Sequence, residues 1–186
     1  MINFLLILII NFGISSLQIK PDVYVCTNIN VKFYSEAPIE NIEATSVKGY
    51  SVLNVKNREV QFNIPVNSFK FKKSLMEEHF NENYMESELY PFAKFKGKID
   101  QQIDFQKDGE YLVTVLGELD VHGVKQHRTI NGSILVSKGL ITVKSRFVVK
   151  CIDHQIKIPK LVYKKIAENI EITIKAVYTP HISAKQ

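Results

Sequence analysis

The strongest constraint on this chain is the alternation in residues 110–121, EYLVTVLGELDV, and its repetition in the runs that follow. Tyr111, Val113, Val115, Leu119 and Val121 fall on one face. A period of two over this length marks a half-buried strand. Gly117 lies on the same face, where it marks a bulge or a barrel corner. His122-Gly123-Val124 turns the chain, and residues 125–136 return with Ile130, Ile134 and Val136 on one side. Ser137-Lys138-Gly139 turns it again into Leu140–Ile152, where Ile141, Val143, Phe147 and Val149 share a face. Near the end, Ile170, Ile172, Ile174 and Ala176 alternate with Glu171, Thr173 and Lys175. Shorter extended runs fill the first part: 23–34 with a break at Thr27-Asn28, then 42–46, 51–55 and 59–64. Successive long hairpins make a meander, and closing it removes exposed edges. The expected fold class is all-β: a single antiparallel up-and-down barrel of about eight strands. A sandwich is the alternative.

One stretch departs from pure strand, FNIPVNSFKFKKSLMEEHFNENYMESELYPFAKFKG, residues 62–97. Phe62 and Ile64 alternate with polar residues, as do Phe69 and Phe71. Ser74-x-x-Glu77 then reads as a capping box, and Leu75, Met76, His79 and Phe80 follow at helical spacing. Asn81, Asn83 and Ser87 are expected to break regular structure, Pro91 to close the loop, and Phe92 to Phe95 to start a new strand. A helix here would cover one end of the sheet, as a lid over an apolar cavity or as a plug in a filled barrel. A second short helix is expected over 161–167, LVYKKIA, giving two short helices at connections.

Seven consecutive large apolar residues, Phe4–Ile10, occur before any charged side chain. The run is too short to span a bilayer, which needs about 20 apolar residues. It matches the apolar core of a secretory signal peptide, expected over 1–18, with residues 19–186 as one domain. A buried first strand is the competing reading. Export to the periplasm or the extracellular space is therefore expected. The net charge of +5 is dispersed, without the basic run that a nucleic-acid binder gathers on one face, so no nucleic-acid partner is expected. The charge is compatible with transient contact at an anionic membrane surface.

Cys26 and Cys151 are too far apart in sequence for a CxxC motif, and the strand register leaves a bridge between them open. His122 and His127 flank a turn beside Asp120, short of the convergent ligands a zinc site requires. No metal and no catalytic residue is expected: nucleophile, phosphate-loop and dinucleotide motifs are absent.

Three stretches together resemble the YceI-like polyisoprenoid-binding family of exported bacterial proteins. They are residues 60–99, the run GEYLVTVLGELDVHGV, and the ending IKIPKLVYKKIAENIEITIKA. The segment EHFNENYMES, the following Tyr90-Pro91 and the later His-Gly-Val carry most of the likeness, which covers about residues 23–178. The Asp-x-x-His-Ser segment and the late Asp-Tyr-Gly of many members are replaced here by NINVKFYSEAPIENIEA and Asp153-His154-Gln155. The resemblance implies a lipocalin-like barrel whose pore holds a long amphiphile: a polyisoprenoid, an isoprenoid quinone or a fatty-acid derivative. It implies storage or transport rather than catalysis, and no cofactor beyond the bound lipid. Phe62, Ile64, Phe69, Phe71, Phe95, Val115, Leu119, Phe147 and Ile172 are expected to line the pore, with Leu75, Met76, His79 and Phe80 near the lid. Burial of a few hundred Å² of chain at about 25 cal/mol per Å² supplies several kcal/mol before ordering costs. Monomer and homodimer both stay open, as do a lipid-directed barrel enzyme using His79 or His122 and a filled-core interaction protein.

Overall fold

The structure is a computed structural model that describes residues 21–36, 41–158 and 168–181. The expected signal segment 1–18 and the expected helix over 161–167 lie outside the described residues.

Eleven β-segments form one antiparallel sheet: β1 (Val23–Cys26), β2 (Asn30–Ser35), β3 (Ile42–Ser46), β4 (Tyr50–Asn54), β5 (Glu59–Pro65), β6 (Lys70–Phe71), β7 (Phe92–Ile99), β8 (Gly109–Val121), β9 (Val124–Ser137), β10 (Leu140–Lys150) and β11 (Asn169–Pro180). β1 pairs with both β4 and β11, which closes the sheet into an eight-stranded barrel. Three of the walls are broken strands. Tyr24↔Leu53 and Phe33↔Ala44 share one register, so β1–β2 and β3–β4 are two interrupted strands lying side by side. β5 and β6 continue a third across the 3-10 turn Val66–Ser68, which takes up a register shift between Tyr50↔Asn63 and Ala44↔Phe71. Short broken strands bend, and this lets the first half of the barrel curl against the straight second half.

The long hairpins follow from their turns. His122 and Gly123 have φ of 54° and 71°, and Lys138 and Gly139 have φ of 50° and 79°. Two residues of positive φ joining Val121↔Val124 and Ser137↔Leu140 are type I′ turns, whose twist matches that of the flanking strands. The β8–β9 ladder is therefore in register over its full length.

The core concentrates toward the barrel end away from the helix. Leu53, Ile99, Ile134, Ile141 and Tyr178 are fully enclosed there. The Tyr178 hydroxyl, paired with Ser51 Oγ at 2.6 Å, is satisfied without water, and Ser51 Oγ donates to the Gln61 carbonyl at 2.6 Å. Burial pushes the Tyr178 phenol well above its ordinary range.

Several local expectations are corrected. The helix α1 (Ser74–His79) forms, but Lys73 is its N-cap residue and no side chain caps it. Glu77 does not reach back to close a capping box. β6 places Lys70 alongside, and Glu77 takes the Lys70 ammonium and the Phe71 N–H (3.3 Å) instead. The Lys70 hydrogen bond holds the Glu77 carboxyl below its ordinary value. Asn81 and Asn83 do not break the helix: Phe80–Tyr84 continues it as a π-helical turn, with Met85 N–H reaching the Phe80 carbonyl at 2.9 Å. β10 ends at Lys150 rather than Ile152, because Cys151–His154 tightens into a 3-10 turn. β7 begins at Phe92, directly after Pro91 closes the loop.

Candidate functional site

The inward faces of the strands enclose a cavity of about 560 Å³, within the usual size range of small-molecule sites. α1 and the π-helical turn cross its mouth. They run from β6, where Glu77 is held, to the β8–β9 turn, where Glu86 meets His122 at 2.8 Å. This segment is the lid.

The lid is seated by aromatic packing. The Phe80 ring stacks on Phe33 at 5.5 Å and 24°, and lies 5.0 Å from Phe71 and 5.8 Å from Phe69. Phe33 also meets the edges of Phe69 and Phe71 at 6.0 and 5.5 Å. Such pairs each contribute roughly 0.5–1.5 kcal/mol beyond simple burial. The alternation of Phe69 and Phe71 about Lys70 puts both rings under the lid, and the first turn past α1 delivers Phe80 to them.

All thirteen residues singled out from sequence lie on the cavity wall. Phe62 and Ile64 come from β5, Phe95 from β7, Val115 and Leu119 from β8, Phe147 from β10 and Ile172 from β11. Phe69 and Phe71 stand beneath the lid, while Leu75, Met76, His79 and Phe80 are presented by the lid itself. Leu75 and His79 are also open to solvent, so they form the rim rather than the depth of the cavity.

Sequence reasoning left out of the site several wall residues. Phe33 is the pivot of the aromatic cluster, and its alternation with Val31 was a usable signal. Tyr84 and Met85 also line the wall, because the helix runs on past the asparagines. Cys151, Ile156 and Ile158 line it from a connection that has no strand periodicity.

No Asp or Glu lies on the wall among the described residues. A surface of this kind favours an apolar chain over a cation. Among the described residues, no group of three His, Cys, Asp or Glu side chains is placed to hold a metal ion. His122 and His127 are drawn apart: His127 sits opposite Glu118 on the exposed side of the ladder, while His122 is engaged by Glu86 and by the His154 carbonyl at 3.3 Å. Cys26 and Cys151 are both buried free thiols. Burial pushes the Cys151 thiol up to about 11, which keeps it protonated and inert. No helix among the described residues is long and apolar enough to cross a membrane.

The comparisons agree with this architecture. The chain matches the YceI-like domain family over residues 18–178. No curated protein matches it. Among solved structures it is similar to a polyisoprenoid binding domain from Saccharophagus degradans implicated in plant cell wall breakdown, at 17% identity and a TM-score of 0.74, covering 87% of this chain and 100% of that one. It is also similar to BcnA of Burkholderia cenocepacia, at 15% identity and a TM-score of 0.67, covering 80% and 95%. A YceI protein of Campylobacter jejuni covers 98% of this chain and 100% of its own at 16% identity, with a TM-score of 0.56.

Proposed function

This chain belongs to the YceI-like domain family, and from that premise we propose that it is a binding protein for a long apolar or amphiphilic chain. The observation that carries the reading is the lidded cavity of about 560 Å³, whose wall is built from inward-facing Phe, Ile, Val and Leu and carries no carboxylate among the described residues. The name of the Saccharophagus degradans relative points to polyisoprenoids, and an isoprenoid quinone or a fatty-acid derivative fits the same wall. The chain lies along the barrel axis, and its polar end sits at the lid, where Lys73, His79 and Tyr84 are polar residues of the wall. Affinity comes from apolar burial and orientation from those groups.

Export to the periplasm or the extracellular space fits the apolar run Phe4–Ile10, and storage or transport of the chain fits a barrel cavity with a short helix across its mouth. Transient contact with a membrane surface is how such a container would load. The apolar wall supports a carrier as the reading. The test is displacement of a fluorescent fatty acid by geranylgeraniol, an isoprenoid quinone and palmitic acid. Saturable displacement at one site per chain supports the reading. Failure of all three to bind would leave a filled-core interaction barrel as the better account.

A further inference from the structure

Three residues of positive φ converge beside the cavity mouth: Glu86 at the end of the lid (44°), His122 in the β8–β9 turn (54°) and Gln155 just after the 3-10 turn (56°). Three separate elements change direction here, and the His122 ring lies between them. Its Nε2 is 2.8 Å from Glu86 Oε2, and its Nδ1 is 3.3 Å from the His154 carbonyl oxygen. Tyr90 packs on the ring with centroids 4.6 Å apart, and the imidazole is only 11% exposed. Tyr90 in turn lies over Gly123, where an added Cβ would meet its ring at 2.6 Å. The Leu89 and Tyr90 N–H groups donate to the Glu86 main-chain carbonyl at 2.8 and 2.9 Å, which fixes the backbone turn from which the half-exposed Glu86 side chain reaches His122.

Both ring nitrogens therefore face acceptors, a carboxylate and a carbonyl. A ring bearing one proton can donate to only one of them and turns a lone pair toward the other. A ring bearing both protons satisfies the two at once. We propose that His122 is the positioning residue that latches the lid to the barrel, and that loss of its second proton loosens the latch and releases the bound chain. This rests on the binding function proposed above.

The packed elements bring other titratable and charged groups to the cluster: Glu86 and Tyr90 from the lid, Asp153 and His154 from the 3-10 turn and Arg128 from β9, while Asp120, two residues before His122, pairs across the ladder with Lys125. Asp153 is tied to Arg128 at 2.7 Å, which holds its carboxyl ionised and occupied. His154 is fully buried, and burial keeps it neutral with Nδ1 donating to the Val124 carbonyl at 3.0 Å. Asp153 and His154 thus have partners of their own, and the His122–Glu86 contact is the one that joins the lid to the β8–β9 turn.

Stopped-flow release of pyrene-labelled palmitic acid into phospholipid vesicles, from about pH 5.5 to about pH 8, tests this. Release from the unaltered protein is expected to quicken roughly tenfold as pH rises, the weight of one charge-assisted hydrogen bond. Glu86→Gln supplies an amide that donates to a neutral ring or accepts from a charged one, so its release is expected to stay slow and flat with pH. His122→Asn tolerates the positive φ but is too short to span the gap. Its release is expected to be fast at every pH, with the circular dichroism spectrum of the barrel retained. Uptake of the probe with parallel pH profiles in the unaltered protein and Glu86→Gln would overturn the latch alone. No uptake by any of the three proteins would overturn the binding reading, and the latch with it.

Discussion

Gly97 and Gly117 face each other across β7 and β8, and the Phe95 ring lies against both of them. A Cβ on Gly117 would fall 2.5 Å from the Lys96 carbonyl oxygen and 2.7 Å from both the Gly97 Cα and the Phe95 ring. One on Gly97 would meet that ring at 2.8 Å. The pair forms a recess in the wall. Phe95 settles into it, and a ring that would otherwise stand in the bore is laid along the strand.

Gly117→Ala is therefore expected to destabilise the fold by about 1–3 kcal/mol, since two of the opposing atoms are backbone and cannot yield. Urea unfolding measures this. Gly97→Ala meets the Phe95 ring, which can turn away into the cavity, and one backbone atom, the Leu116 carbonyl oxygen at 2.9 Å, against two for Gly117. Its cost in stability is expected to be smaller, with a clear loss of chain binding in its place.

The barrel was legible because its strands are amphipathic in period two and its turns carry the residues that positive φ demands. Val113, Val115 and Leu119 needed only alternation to be placed on the wall, and Lys138-Gly139 needed only the turn rule. The lid was legible as a helix but not in its detail. Ser74 and Glu77 have the spacing of a capping box, yet Lys70 competes for the glutamate from a strand that pairs only through β3. Phe33 entered the site through a contact with Phe80, which lies 47 residues further on and belongs to no local pattern. Cys151, Ile156 and Ile158 reach the cavity from a connection whose path is set by hydrogen bonds to β9, such as Gln126 Nε2 to the Asp153 carbonyl at 2.9 Å.

Occluding the cavity separates binding from folding. Val115 is half-buried on the wall, with open volume in front of it. Val115→Trp is expected to leave the circular dichroism spectrum and thermal midpoint nearly unchanged while lowering affinity for a fluorescent fatty acid at least tenfold, about 1.4 kcal/mol.

Phe80 holds the lid to three other phenylalanines. Phe80→Ala is expected to cost about 2–3 kcal/mol, less than a fully buried ring because the site is only half-enclosed. Hydrogen exchange should rise first in the lid, with the β8–β9 ladder unaffected.

His154 gives the fold an acid limit. Burial lowers its pKa below the ordinary value of about 6.5, so the unfolded chain binds more protons than the folded one. The stability it contributes is present above that ordinary value and is lost as pH falls toward the depressed folded value. Asp153, lowered by its Arg128 hydrogen bond, acts in a separate window below the ordinary carboxylate range. Melting curves are expected to show a falling midpoint from about pH 7 to about pH 5, and His154→Gln to flatten that slope.

Cys151 reports occupancy. Its thiol is buried on the cavity wall and raised to about 11, so labelling by a small maleimide is expected to be slow in the native protein and slower still with a chain bound. Cys26→Ala removes the only other thiol and makes the readout specific.

Native mass spectrometry of the protein purified from a membrane-containing extract, followed by organic extraction of what it carries, tests chain binding directly. A stoichiometric adduct that partitions as a prenyl lipid, an isoprenoid quinone or a fatty acid is expected. A clean apo mass that gains no such lipid on titration would contradict it.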